Sequence, residues 1–183
     1  MRRGESPLPD ASLAQELYDP VMKKFMRTAI SALVSIVAAL LIWPVNAAAC
    51  PEFPQPRLPT ADVRIIADEG AINLLVELAS TEEQRQCGLM GRPAPPPGGG
   101  MLFDMRPAGA AYFWMKNTPA PLDMVFIEPG GRVVHIVEDT VPYSLEPVGT
   151  DTPTAAVLEV ASGAAARLGL RIGSRVVLPW HTK

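Results

Sequence analysis

Histidine and cysteine are scarce in this chain, with two of each in 183 residues. His181 lies in the last three residues, which leaves His135 as the only histidine available inside a domain. A paired-His metal motif is therefore excluded. No Gly-x-Ser-x-Gly elbow and no phosphate-binding loop is present either. The run Gly98-Gly99-Gly100 lacks the Lys or the helix start that a phosphate site needs. Clustered positive charge is missing as well. Downstream of residue 50, 11 Lys and Arg face 15 Asp and Glu, a net charge of −4. That removes the electrostatic footprint on which nucleic-acid binding depends, so no nucleic-acid partner is expected. Hydrophobic runs stop short of a membrane span. The stretch Thr28 to Trp43 has about 16 residues, against the roughly 20 that a spanning helix needs.

That stretch does have another use. Met22-Lys23-Lys24-Phe25-Met26-Arg27 is basic, Thr28 to Trp43 is apolar, and Ala47-Ala48-Ala49 follows a proline. This order of basic, apolar and small residues is that of a secretory signal peptide over residues 22–49. Residues 1–21 are polar and fit poorly in front of it. They read as an extension upstream of the true initiator, Met22 or Met26, or as a disordered cytoplasmic extension. The mature protein is then exported, periplasmic or secreted. Cys50 directly after the small residues leaves three outcomes open: a cleaved soluble form, a lipoprotein acylated at Cys50, or an uncleaved anchor. Membrane contact is expected only through the signal peptide or such lipidation. An unmodified Cys50 can pair with Cys87 in an oxidising envelope.

Residues 50–61 carry four prolines between Pro51 and Pro59 and read as an extended linker. A single β-rich domain follows over 62–180. Val63–Ile66 and Ile72–Leu78 flank Asp68-Glu69-Gly70 as a hairpin. Thr81-Glu82-Glu83-Gln84 matches a capping box and predicts a short helix from Glu82 to about Met90. Further strands are expected at Met101–Asp104, Ala111–Met115, Met124–Glu128, Arg132–Val137, Ala155–Val160 and Arg175–Leu178. A second short helix is expected after Ser162. Ala94–Gly100 is expected to be a mobile loop, and Val141–Pro153 a loop. The fold class is mainly β (α+β): a small barrel or curled antiparallel or mixed sheet with two short helices.

The chemistry concentrates in Phe113-Trp114-Met115-Lys116-Asn117-Thr118-Pro119-Ala120-Pro121-Leu122-Asp123. On a strand Phe113 and Met115 share one face, while Tyr112, Trp114 and Lys116 share the other. Asn117 and Thr118 can hold a turn through the backbone, and Asp123 can accept turn N–H groups or pair with Lys116 or Arg92. One reading is structural, a side-chain-stapled turn between core strands. The other makes Arg92, Trp114, Lys116, Asn117 and Asp123 the polar end of a ligand site at a barrel mouth. The second supports a non-enzymatic binding module for a small ligand or an envelope partner, with no cofactor. Two alternatives differ in class. One is an envelope hydrolase using Cys87 or Asp123, with a Cys87–His135 dyad as its thiol version. The other is a copper carrier, because Met90, Met101, Met105, Met115 and Met124 crowd one region, with Trp114 and His135 near in sequence. Buried methionine is equally an ordinary gap-filler.

Several blocks carry a resemblance. Leu78–Thr81 with Arg85, Gly88-Leu89-Met90-Gly91-Arg92, Gly100–Phe103, Phe113–Pro119 with Pro121–Ile127, Val157–Val160 with Gly163, and Gly169-Leu170 with Ile172-Gly173 resemble, in order and spacing, domain-of-unknown-function family 192. The resemblance covers roughly residues 72 to 178. It implies a small, often exported, compact β-rich domain and says little about chemistry. Ser174 stands where that family usually has Asp, and the Pro/Gly tract before Met101 is extended.

Overall fold

The computed structural model describes Cys50, residues 55–67 and residues 70–181. The expected N-terminal extension and signal peptide lie outside the described residues, as do 51–54 of the Pro-rich segment. Seven strands form one sheet: β1 (Thr60–Ala67), β2 (Gly70–Ala79), β3 (Met101–Phe113), β4 (Leu122–Ile127), β5 (Val133–Val137), β6 (Val148–Ala161) and β7 (Arg175–Val177). Two short helices, α1 (Glu82–Cys87) and α2 (Ala164–Arg167), and a 3-10 turn at Pro179–His181 complete the described chain. No described helix is long and apolar enough to cross a membrane.

The sheet order is β5-β4-β6-β3-β2-β1-β7. Its two end strands come together: Arg132 bridges to Arg175, Val133 N–H donates to Ser174 O at 2.9 Å, and Val176 N–H donates to Gly131 O at 2.7 Å. The sheet is thus a nearly closed, barrel-like β structure. β2 and β3 pair in parallel, and every other ladder is antiparallel. A parallel pair cannot be joined by a hairpin, and residues 80–100, with α1, form the crossover.

Alternation along the strands sorts the core into two layers. Val63, Ile65, Leu74, Val76, Leu102, Val125, Leu158, Val160 and Val176 fill the inside. Ala79, Leu89, Met101, Phe103, Met115, Leu122, Met124, Phe126 and Val157 form the second layer on the opposite face. The helix and the loops of the crossover cover that second layer, and the Cys50–Cys87 disulfide ties the N-terminal segment to the end of α1.

Local signals explain most elements. The capping box forms as read: Thr81 Oγ1 accepts from Gln84 N–H at 3.2 Å, and Gln84 Oε1 accepts from Thr81 N–H at 3.1 Å. Removing the Thr81 hydroxyl leaves a helix-end N–H without its partner. Thr81→Ala is expected to lower stability by about 1 kcal/mol in urea titrations; no loss would mean that the Cys87 tether alone holds α1. The Pro129-Gly130-Gly131 turn also forms, with Gly131 N–H donating to Glu128 O at 2.9 Å and Gly131 at φ 84°.

Three expectations need correcting. Met101–Asp104 and Ala111–Phe113 are parts of one strand, β3, whose register to β6 shifts twice around Gly109, and the strand ends before Trp114 and Met115. Arg106-Pro107-Ala108-Gly109 reads as a break, but the shifts absorb it without ending the pairing. The second half of the expected loop, Val148–Pro153, belongs to β6. There the β-favouring Val148, Thr150 and Thr152 outweigh Gly149 and Pro153. Ser162 does not cap α2. Left-handed Gly163 occupies that position, and a distant side chain replaces the local cap.

Candidate functional site

That distant side chain is Asp123. Fully buried on β4, it faces away from Leu122 and Met124, and its two carboxylate oxygens are both used. Oδ1 accepts from Asp139 N–H at 3.0 Å and Oδ2 from Ala165 N–H at 2.9 Å. A carboxylate holding a loop and a helix N-terminus at once is a long-range cap. Asp139 in turn accepts from the Ser162 hydroxyl at 2.7 Å.

Arg92 lies elsewhere, 8 % exposed, in a two-point pair with Glu77 of β2 at 2.8 and 2.5 Å. Glu77 also accepts from Leu58 N–H at 2.8 Å and from Arg57 at 3.0 Å. Burial pushes the Glu77 carboxyl up, but the bonds from Arg92, Leu58 and Arg57 outweigh it and hold the group below the usual carboxylate range.

Trp114, Lys116 and Asn117 do come together. The Lys116 ammonium sits 5.0 Å from the centre of the Trp114 ring, a cation–π contact. Asn117 is left-handed at φ 55°, and its carbonyl accepts from Gly91 N–H at 2.8 Å, one residue before Arg92. Beside this turn runs Val141–Leu145: Met115 N–H donates to Ser144 O at 2.9 Å, and Tyr143 N–H donates to Thr118 O at 3.2 Å. Tyr112, two residues before Trp114, lies against Gly149, where even a Cβ would meet its ring carbon at 2.9 Å. Its hydroxyl donates to Asp151 at 2.8 Å, which raises the phenol above its usual value. Trp114 is 49 % exposed, Tyr112 54 %, Val141 69 %, Tyr143 62 % and Leu145 65 %. Of the eight exposed large hydrophobic side chains among the described residues, five stand in these two adjoining segments.

Residues 64–178 match the model of DUF192, a family described as uncharacterized ACR. The chain belongs to the DUF192 family. Its fold resembles two solved structures. One is a Sinorhizobium meliloti protein assigned provisionally to transcription regulation, 40 % identical, with a TM-score of 0.64, covering 67 % of this chain and 96 % of that one. The other is a protein of unknown function from Novosphingobium aromaticivorans, 38 % identical, with a TM-score of 0.65, covering 73 % and 97 %. No curated protein matches.

In this DUF192 domain Ser174, in place of the expected Asp, still accepts from Arg171 N–H at 2.9 Å and so closes the turn before β7. Cys87 is bonded to Cys50, so this form offers no thiol for nucleophilic attack. Met101, Met115 and Met124 pack in the second layer, and Met105 is partly buried against it. Trp114 is exposed at the strand end, and the His135 ring lies 5.4 Å from that of Phe126. Among the described residues no three His, Cys, Asp or Glu side chains come together.

Sequence reasoning missed Glu159. It sits in the middle of β6, 4 % exposed, between buried Leu158 and Val160. Neither a hydrogen bond nor an ion pair from another described residue reaches its carboxyl, and burial pushes it up to about 8. The signal was a single acid in the otherwise apolar run Ala155–Val160. Glu77 gave the same signal in Ile72–Leu78. The two acids have opposite fates because only one has a guanidinium.

Proposed function

We propose that this DUF192 domain is an exported, non-catalytic module that docks an envelope protein through the face built by Tyr112, Trp114, Val141, Tyr143 and Leu145. The observation that supports this reading is the gathering of large apolar side chains in two adjoining segments. Aromatic side chains at protein interfaces give large contact area at small entropic cost, and an exposed apolar patch commonly marks an interaction site. Two of these rings are positioned in advance: Tyr112 by Gly149 and Asp151, Trp114 by Lys116. Lys116 favours a partner surface that offers a carboxylate beside aliphatic side chains. A regulatory role of the kind assigned to the S. meliloti relative finds little support in a net charge of −4 downstream of residue 50 without a basic cluster.

Photo-crosslinking in cells tests the proposal. A photoreactive residue at Leu145 is expected to give one discrete adduct with a second protein. Trp114→Ala should weaken that association about 30-fold, the size of a hot-spot truncation of 2 kcal/mol. The same probe at Leu75, exposed on β2, should give none. Adducts that are equal from both positions, or indifferent to Trp114→Ala, would remove the docking face, and an adduct with a second copy would replace the partner by self-association.

A further inference from the structure

Alternation along β2 sends Leu74 and Val76 to the inside and leaves Leu75 and Glu77 on the outer face. Arg92 of the crossover meets Glu77 on that face. The end of the crossover is drawn in close: Gly100 O accepts from Glu77 N–H at 2.9 Å, and a Cβ at Gly100 would stand 2.6 Å from Glu159 O. Between β2 and the crossover lies a cavity of about 210 Å³. Leu75, Leu89, Pro93, Pro95 and Pro96 make its wall apolar, and Arg57 and Arg92 make one side of it basic. Glu77 is the one acid among the described residues that line it.

Donors and acceptors do not balance there. Both Glu77 oxygens are doubly used, by the two Nη groups of Arg92, by Arg57 and by Leu58 N–H, which fills a carboxylate. Arg92 gives one N–H from each Nη, so its Nε–H and the second hydrogen on each Nη have no partner among the described residues. No fully buried side-chain nitrogen or oxygen among those residues lacks a hydrogen bond. The Nε of Arg92, which has none, is therefore open to solvent, and Arg92 lines this cavity. Charge is unbalanced as well. Two guanidiniums face one carboxylate, and the Arg92 side chain is only 10 % exposed.

We propose that this cavity binds a small monocarboxylate with a branched aliphatic body. The ligand's carboxylate meets the open N–H groups of Arg92 and those of Arg57, and its carbon chain lies against the prolines. A guanidinium fork matches a planar carboxylate in two bonds, and one added negative charge balances the second guanidinium. The volume equals about seven waters at roughly 30 Å³ each, below the ~300 Å³ at which pockets for drug-sized ligands begin, so the acid is short. An α-amino acid fits worse. Its ammonium needs an acceptor, and the carboxylate of Glu77 is already full. Inorganic phosphate would leave the apolar wall unused. The wall is set in advance, because Gly99 N–H donates to Pro96 O at 2.9 Å and proline fixes its own φ, so little freedom is lost on binding.

None of the lining residues belongs to the docking face of Trp114 and Leu145. A small acid leaves no protein adduct at Leu75, so either proposal can fail alone.

The test is an NMR titration of the purified, disulfide-intact protein with isovalerate, following backbone amides and arginine Nε–H signals. Saturable shifts are expected at Leu75, Glu77, Gly99 and Arg92 Nε–H, with a Kd below about 1 mM. Valine, which is isovalerate with an α-ammonium, and the neutral isovaleramide should each bind about tenfold more weakly or worse, and phosphate likewise. Leu75→Glu places a second acid on the exposed side of the wall and should weaken isovalerate about tenfold or more. Arg92→Lys keeps the charge, loses the fork and should do the same. Arg57→Gln should cost about threefold, as an exposed partner would, and Arg64→Gln, the same charge change on β1 outside the cavity, nothing. Should Arg92→Lys fail to fold, Leu75→Glu and Arg57→Gln still decide. No saturable shift, equal binding of isovaleramide, valine or phosphate, or binding indifferent to Leu75→Glu would overturn the site.

Discussion

Glu159→Gln is expected to stabilise the protein by about 4 kcal/mol at pH 8.5 and to remove most of its decline in stability between pH 5 and pH 8. The acid has a folded value of about 8 against an ordinary 4.5. Below pH 4.5 folded and unfolded chains both carry the proton, and burial of the neutral acid costs no charge. Between the two values the unfolded chain gives up the proton while the folded chain keeps it. Each pH unit in that window then removes about 1.4 kcal/mol, or about 4–5 kcal/mol across it. The favourable contribution is therefore present at low pH and lost as pH rises through about 8. Glu77 acts with the opposite sign. Its folded value is lowered, so what it contributes is present above its ordinary value and lost as pH falls below it. Glu159→Gln should leave that acid limb in place. Urea unfolding of both proteins at pH 5, 7 and 8.5 reads the difference directly. Parallel curves for the two proteins across this range would mean that the carboxyl ionises in the fold without penalty.

Reduction of Cys50–Cys87 is expected to cost about 4 kcal/mol, on the chain-entropy model for a separation of 37 residues. The bond fixes the segment before β1 against the end of α1, and so closes a loop that contains β1 and β2. Cys50→Ser should lose the same amount without reductant, and adding reductant should then change nothing further. Urea midpoints with and without dithiothreitol check both statements. A loss well under 1 kcal/mol would mean that packing of residues 55–59 already restrains the loop. The same sulfur bears on membrane attachment. A thioether-linked lipid and this disulfide both require Cys50 Sγ, so any one molecule carries one or the other. Intact mass of the protein purified from cells separates them.

What the sequence made legible was local. Thr81 and Gln84 lie three residues apart, and their reciprocal bonds formed as the pattern predicts. Trp114 and Lys116 are two residues apart and meet in a cation–π contact as neighbours in sequence can, although β3 ends at Phe113 and neither lies on the strand. The mainly β fold followed from the density of short β-rich runs between Gly and Pro signals. Non-local partnerships were not legible. Nothing in the neighbourhood of Asp123 announces that its partners are Asp139 and Ala165, because the second lies 42 residues away. Arg92 finds Glu77 only because the crossover folds back over the β2–β3 pair. Glu159 is a lone acid in the apolar run Ala155–Val160, a pattern that marks the position but names no chemistry for it. Its lack of a partner depends on what three different strands place beside it.

The joining of β5 to β7 has a consequence for the life of the chain at high concentration. A sheet with free margins offers rows of unsatisfied amide groups that recruit further chains edge to edge. Here Gly131, Val133, Ser174 and Val176 use each other's backbone groups, so part of each margin that an open sheet would present is satisfied by the other. Edge-to-edge growth along this stretch therefore requires the seam to open first. Substitutions that loosen the Gly131 turn should reveal themselves as aggregation before they reveal themselves as unfolding.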